Sequence, residues 1–257
     1  MKVISIFNQK GGVGKTTTNI NLAAGLALKK KKVLTIDMDP QGNTTSGLGI
    51  DKREQTLSTY DLLLGDIPVS DLIQPVETVP GLYIIPASMH LAGADIELSQ
   101  IKDREKVLAE RLKEIETRQF DYIFLDCPPS LGLLSINALT ASDSVIIPMQ
   151  SEFYALEGIS HLLDTIQRVN KGLNKDLAIE GVLLTMYDPR KNLHLEVAKE
   201  LKKHFGALVY RCTIPQNVRL AEAPSFGLPI YQFDARCKGA EAFEDLVKEF
   251  LKKNKEK

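Results

Sequence analysis

The chain has 257 residues, 44% of them hydrophobic and 25% charged, with a formal net charge of −1. That length and composition bury a core without disulfide or metal staples, and the overall charge by itself argues against a nucleic-acid binder. Cys127, Cys212 and Cys237 form no CxxC pair and are expected as reduced thiols of a cytosolic protein. No apolar run approaches the ~20 residues that span a bilayer.

In chain order, the first element is the apolar strand around Val3-Ile4-Ser5-Ile6-Phe7, reached without a signal-peptide pattern. Lys10-Gly11-Gly12-Val13-Gly14-Lys15-Thr16-Thr17 follows, and then a helix near 16–29 that buries Ile20, Leu22, Ala23, Leu26 and Ala27. Strand–glycine loop–helix is a polyphosphate cradle. Glycines let backbone N–H groups approach the phosphates, and the helix N-terminus adds favourable partial charge. Lys15 is expected to reach the outer phosphates and the Thr16 hydroxyl to ligate Mg²⁺. The usual first glycine of such loops is Gln9 here, and a second lysine, Lys10, opens the loop instead.

Further strands are expected near 32–37, 82–86, 121–126, 144–148, 179–185 and 208–214. Further helices are expected near 103–116, 132–141, 155–170, 192–205 and 239–253. Alternation of Val/Ile/Leu-rich strands with amphipathic helices predicts an α/β fold: a single doubly wound, mostly parallel sheet flanked by helices, with residues 1–257 as one domain. Residues 40–80, rich in turn formers, read as a surface excursion. Lys29 to Lys32 suit a helix C-terminus, and the tail from Lys252 to Lys257 is basic.

Two acidic segments close strands. Asp37-Met38-Asp39-Pro40-Gln41-Gly42-Asn43 can orient Mg²⁺ and an attacking water, the alternative being an Asx turn. Asp126-Cys127-Pro128-Pro129-Ser130-Leu131-Gly132 can hold a metal-bound water, the alternative being a helix N-cap. A fourth segment runs from Ile214-Pro215-Gln216-Asn217-Val218-Arg219 to Gly227.

The loop KGGVGKTT, the segments DMDPQGN and DCPPSLG, and IPQNVRLAEAPSFG together resemble the ParA/Soj partition ATPases of the ParA/MinD deviant Walker A group, from Lys2 to about Leu251. The resemblance implies an Mg²⁺-dependent ATPase that forms an ATP-dependent homodimer on nonspecific double-stranded DNA. A ParB-like protein would stimulate hydrolysis, in the cytoplasm and on the nucleoid. Lys10 would contact the neighbouring subunit's ATP. Gly11, Gly12, Val13, Gly14, Lys15, Thr16 and Thr17 would cradle the phosphates, with Thr16 on the metal. Asp39 would position the hydrolytic water, and Asp126 would act through the metal shell. Pro215 and Asn217 would lie against adenine, with Thr185 and Met186 nearby. Relatives usually carry arginine where this chain has Gln216.

Candidate DNA contacts are Arg190, Lys191, Arg219 and, more weakly, Arg236 and Lys238. Lys199, Lys202 and Lys203 would share the helix face opposite Leu193, Val197 and Leu201; an ordinary solvated face is the alternative. From Asp188 onward the chain carries a modest basic excess. A MinD-like membrane ATPase is the rival reading. It requires a C-terminal amphipathic helix free to enter lipid, and the stripe Phe243, Leu246, Val247, Phe250 and Leu251 reads more simply as packed on the sheet, with no membrane contact. A metabolic enzyme or iron–sulfur reductase of the same fold is a third class, for which Cys127 has no evident cysteine partner.

Overall fold

The computed structural model describes residues 1–152 and 155–255, with backbone alone for 155–158. Glu256 and Lys257 of the basic tail lie outside the described residues. Among the described residues, seven strands form one sheet: β1 (Lys2–Ile6), β2 (Val33–Asp37), β3 (Gln74–Pro75), β4 (Leu82–Ile85), β5 (Tyr122–Asp126), β6 (Ser144–Gln150) and β7 (Ala178–Thr185). Their order is β3-β4-β2-β5-β1-β6-β7, parallel throughout except for the short antiparallel β3 at one edge. The helices are α1 (Lys15–Leu28), α2 (Asn43–Gly47), α3 (Thr59–Leu64), α4 (Val69–Leu72), α5 (Ala94–Leu98), α6 (Val107–Leu112), α7 (Leu133–Ala141), α8 (Ala155–Gly172), α9 (Asn192–Phe205), α10 (Val218–Glu222), α11 (Ile230–Phe233) and α12 (Lys238–Lys255).

The strands are apolar on both faces because both faces are covered. Val3, Leu34, Ile36, Ile123, Leu125, Val145 and Ile147 enter one core, with α3 to α9. The alternating Ile4, Ile6, Val33, Phe124 and Ile146 enter the other, against α1, α10, α11 and α12. Period-two alternation between two cores is the packing of a doubly wound sheet. The expected α1 stripe is buried in full, and so are Phe243, Leu246, Val247 and Phe250 of α12.

β1 lies between β5 and β6, where the strand order changes direction, and such points leave a crevice beyond the strand carboxyl ends. Register sets the acids there. Ile6 and Asp37 both stand opposite Asp126, so the phosphate loop and two acidic strand ends converge.

Three sequence expectations change. Residues 208–214 form no strand. Tyr210 and Ile214 donate to Val182 and Leu184 of β7, but the N–H groups of Arg211 and Cys212 go to the Glu249 carboxylate of α12, which interrupts the ladder. The helix expected over 103–116 is only α6, because Asp103 has φ 53° and Asn137 takes up the Arg104 carbonyl and the Leu108 N–H. Residues 40–80 are not a surface excursion: Thr44, Thr45, Leu62, Leu63, Val69 and Leu72 are buried.

Candidate nucleotide site

The loop between β1 and α1 turns at Gly12 (φ 74°) and Gly14 (φ 86°), left-handed positions that glycine adopts without steric cost. Gly14 caps α1 with no side-chain hydrogen bond, and the first turn carries no acid. The leading N–H groups of the helix therefore remain available to an anion.

The two loop lysines diverge. Lys15 is buried and its Nζ donates to the Lys10 carbonyl at 3.2 Å. Burial lowers its pKa, and Asp126, Cys127 and Asp39 oppose that shift. Lys10 points outward and pairs with the Glu152 carboxylate just beyond β6.

Asp126 is fully buried at the end of β5. Its Oδ2 accepts from Thr16 Oγ1 and from Thr44 Oγ1, each at 2.8 Å, while its Oδ1 is buried without a partner. Burial foremost, and then Asp37, push its pKa up to about 7. The N-cap alternative does not hold, since the next helix is capped by Gly132. A carboxylate with one oxygen unanswered, beside a threonine hydroxyl at a phosphate loop, fits a hydrated Mg²⁺, which keeps most of its water and takes few protein ligands. Among the described residues no cluster of three or more His, Cys, Asp or Glu could hold a metal, and a nucleotide-borne ion does not require one.

Asp37 and Asp39 divide their work. Asp37 accepts from the Thr45 N–H (2.8 Å), the Thr45 hydroxyl (2.6 Å) and the Asp39 N–H (3.2 Å), so it fixes the turn into α2. Burial pushes its pKa up to about 6 against those hydrogen bonds. Asp39 accepts from the Gln41 N–H at 2.9 Å, an Asx-type turn that sets its carboxylate near Lys15. The turn alternative therefore holds at Asp39, with its carboxylate left near Lys15. Cys127 is buried with its Sγ toward the Leu125 carbonyl, and burial raises its thiol pKa.

A cavity of about 280 Å³ opens beside Gly14 and Thr17. Thr185, Met186, Pro215, Gln216, Asn217 and Val218 are among its walls, so the expected base contacts come together there. Thr185 Oγ1 donates to the Val13 carbonyl at 2.8 Å and ties this wall to the phosphate loop. Asn217 spends its Oδ1 on the Leu220 N–H at the start of α10.

Two of the basic candidates share a groove. Arg190 and Lys238 line a second groove with Tyr187 and Asp188, sharing Pro215, Gln216 and Val218 with the first cavity. Arg190 makes a two-point pair with Asp188, and Arg219 is bound by Glu222 at 2.9 Å and Asp234 at 3.4 Å. Lys191 precedes α9, and Lys199, Lys202 and Lys203 are placed along it, Lys203 exposed beside Glu200. Arg236 is exposed before α12. Val197 and Leu201 are buried as expected, but Leu193 is 41% exposed, because the core ends before the first turn of α9.

Four residues of the site went unread in the sequence. Thr44 and Asn19 (which donates to Thr35 and Thr44) carry no local pattern. Gln150 and Glu152 lie at and just beyond the end of β6, next to β1, and their place at a neighbouring strand end was the available signal.

The fold and loop define a P-loop nucleotide-binding protein of the doubly wound class. Residues 1–179 match the family model described as AAA domain. The chain is 57% identical over 248 residues to the sporulation initiation inhibitor protein Soj of Bacillus subtilis, covering 96% of this chain and 97% of that one. It is 47% identical to the chromosome partitioning protein ParA of Caulobacter vibrioides, covering 100% and 96%. Among solved structures, cobyrinic acid a,c-diamide synthase from Mycobacterium smegmatis, with bound ATP analog and magnesium, superposes with a TM-score of 0.86 at 34% identity, covering 99% and 96%. The chain belongs to the ParA/Soj family of chromosome-partitioning ATPases.

Proposed function

We propose that this chain, acting as one ATPase unit, hydrolyses ATP with Mg²⁺ and uses the cycle to move DNA during partition. The observation that carries the reading is the contact set at Asp126: two threonine hydroxyls on one oxygen and none on the other, beside buried Lys15 and a helix N-terminus with no side-chain cap. Lys15 and the loop N–H groups of Gly11 to Thr17 hold the phosphates. Thr16 ligates Mg²⁺, which supplies charge neutralisation on the outer phosphates, and Asp126 orients the water around it. Asp39 positions the attacking water. Thr185, Met186, Pro215 and Asn217 enclose the base.

Lys10 reaches the ATP of a second subunit, so the ATP state is a homodimer. Two copies of Arg190, Lys191, Arg219, Arg236 and Lys238, together with Lys199, Lys202 and Lys203 of α9, then neutralise phosphates of double-stranded DNA regardless of sequence. A ParB-like partner stimulates hydrolysis and releases the dimer. Burial of Phe243, Leu246, Val247 and Phe250, with Leu251 half-buried, commits the α12 stripe to the core and disfavours the membrane reading.

The test is a mobility shift of random duplex DNA with ATP and with ADP, run beside an Asp39→Ala variant. Asp39→Ala should bind ATP and DNA yet hydrolyse about a hundredfold more slowly, the usual scale for a lost general base. Equal DNA binding in ATP and ADP counts against the switch, and wild-type hydrolysis by Asp39→Ala removes Asp39 from the chemistry.

A further inference from the structure

The segment that leaves β6 touches both halves of the nucleotide site. Gln150 Nε2 donates to the Gly12 carbonyl at 3.2 Å and lies 2.6 Å from the Met186 sulfur on the base-cavity wall. Two residues on, Glu152 is turned back by a hydrogen bond from its N–H to the Gln150 carbonyl at 2.9 Å, and its carboxylate takes the Lys10 ammonium. Lys15 Nζ donates to the Lys10 carbonyl, while the Lys10 ammonium lies against the Glu152 carboxylate.

We propose that Glu152 is a positioning residue for Lys10: it holds the ammonium in the nucleotide-free subunit and withholds it from a second copy of this chain until nucleotide phosphates compete for it. This rests on the reading that Lys10 serves the neighbouring subunit's ATP. Both side chains are about half exposed, 49% for Lys10 and 51% for Glu152. An ion pair that exposed contributes little to folding, so its position at the loop mouth is not accounted for by stability. The same weakness makes it exchangeable. A triphosphate offers several anionic oxygens to one ammonium, a stronger partner than a single solvated carboxylate. Breaking the Lys10–Glu152 pair is then a small cost that association must overcome, and removing the Glu152 charge removes that cost.

Sedimentation velocity across a protein concentration series, with Mg²⁺ and a non-hydrolysable ATP analogue, reads this directly. Glu152→Gln should dimerise at about two- to fivefold lower protein concentration than the parent, the span of an exposed ion pair. Glu152→Asp, which keeps the charge, should fall back toward the parent, and the thermal midpoint of all these proteins should be unchanged. Lys10→Ala should stay monomeric. If Lys10→Ala is monomeric and Glu152→Gln dimerises at the parent's concentration or higher, Glu152 does not withhold Lys10 and the proposal is overturned. If Lys10→Ala dimerises like the parent, the reading of Lys10 itself fails and takes the proposal with it.

Discussion

Lys10 and Lys15 stand five residues apart on one loop and meet opposite environments. Lys15 is enclosed with Thr16, Asp126 and Thr44, every one of them held by a neighbour before any nucleotide arrives. Lys10, Glu152, Arg190 and Lys238 are exposed, and the pairs that Lys10 and Arg190 make are solvated. Buried polar groups interact strongly and reorganise little, which suits phosphate binding and metal chemistry. Exposed ion pairs exchange cheaply, which suits contacts that must form and release with each cycle. The inner half of the site thus suits phosphate and metal chemistry, and the outer half suits association.

The largest effect should come from the inner half. Lys15→Ala removes a charged donor facing the phosphates, and isothermal titration should show ATP affinity lower by about a hundredfold. Wild-type affinity would erase the contrast between the two lysines.

Next is the loop face. A Cβ on Gly11 meets no atom within 4 Å in the subunit, and Gly11 does not have positive φ. Gly11→Val should therefore fold normally and bind ATP, while its dimerisation weakens by about tenfold or more, the result of roughly 1–3 kcal/mol for a side chain forced into a packed interface. Light scattering reads the dimer. Gly12→Val, at φ 74°, should instead lower the melting temperature of the subunit itself.

The DNA surface gives a smaller and graded effect. Arg219 is bound between two acids, whereas Arg190 has one acid partner and Lys191 beside it. Arg190→Glu should weaken binding of random duplex DNA more than Arg219→Glu. Its salt slope should flatten by about 0.9 for each DNA phosphate that is no longer neutralised. The reverse order would move the surface toward α10.

A different readout is the pH dependence of stability without nucleotide. Asp37 and Asp126 have pKa values pushed up to about 6 and about 7 by burial. Between the unfolded value of about 4 and those values, the folded chain keeps protons that the unfolded chain has released. Stability should therefore fall as pH rises through that window, by up to ~1.4 kcal/mol per pH unit for each group. Asp126→Asn should remove the part of the decline nearest pH 7, seen as a flatter plot of denaturation midpoint against pH. An unchanged slope would mean that Asp126 is ionised in the resting site.

The sequence by itself determined the parallel strands of the sheet, though not its short edge strand β3, together with the phosphate loop, the acidic strand ends and the apolar stripes of α1 and α12. These are written in local patterns: glycines before a helix, alternation along strands, and three- and four-residue spacing along helices. It also placed Pro215 and Asn217 in a segment that proves to line the cavity beside Thr185 and Met186. Tertiary structure alone decided which acid keeps an open oxygen, because the Thr44 hydroxyl reaches Asp126 across 82 residues of chain. It decided that Glu152 holds Lys10, and that Glu249 of α12 takes the N–H groups that would have extended the sheet over 208–214. It brought Leu62, Leu63, Val69 and Leu72 of residues 40–80 into the core and left Leu193 partly in solvent. Each of these outcomes depends on a partner far along the chain, and local periodicity carries no record of which distant side chain answers a given polar group.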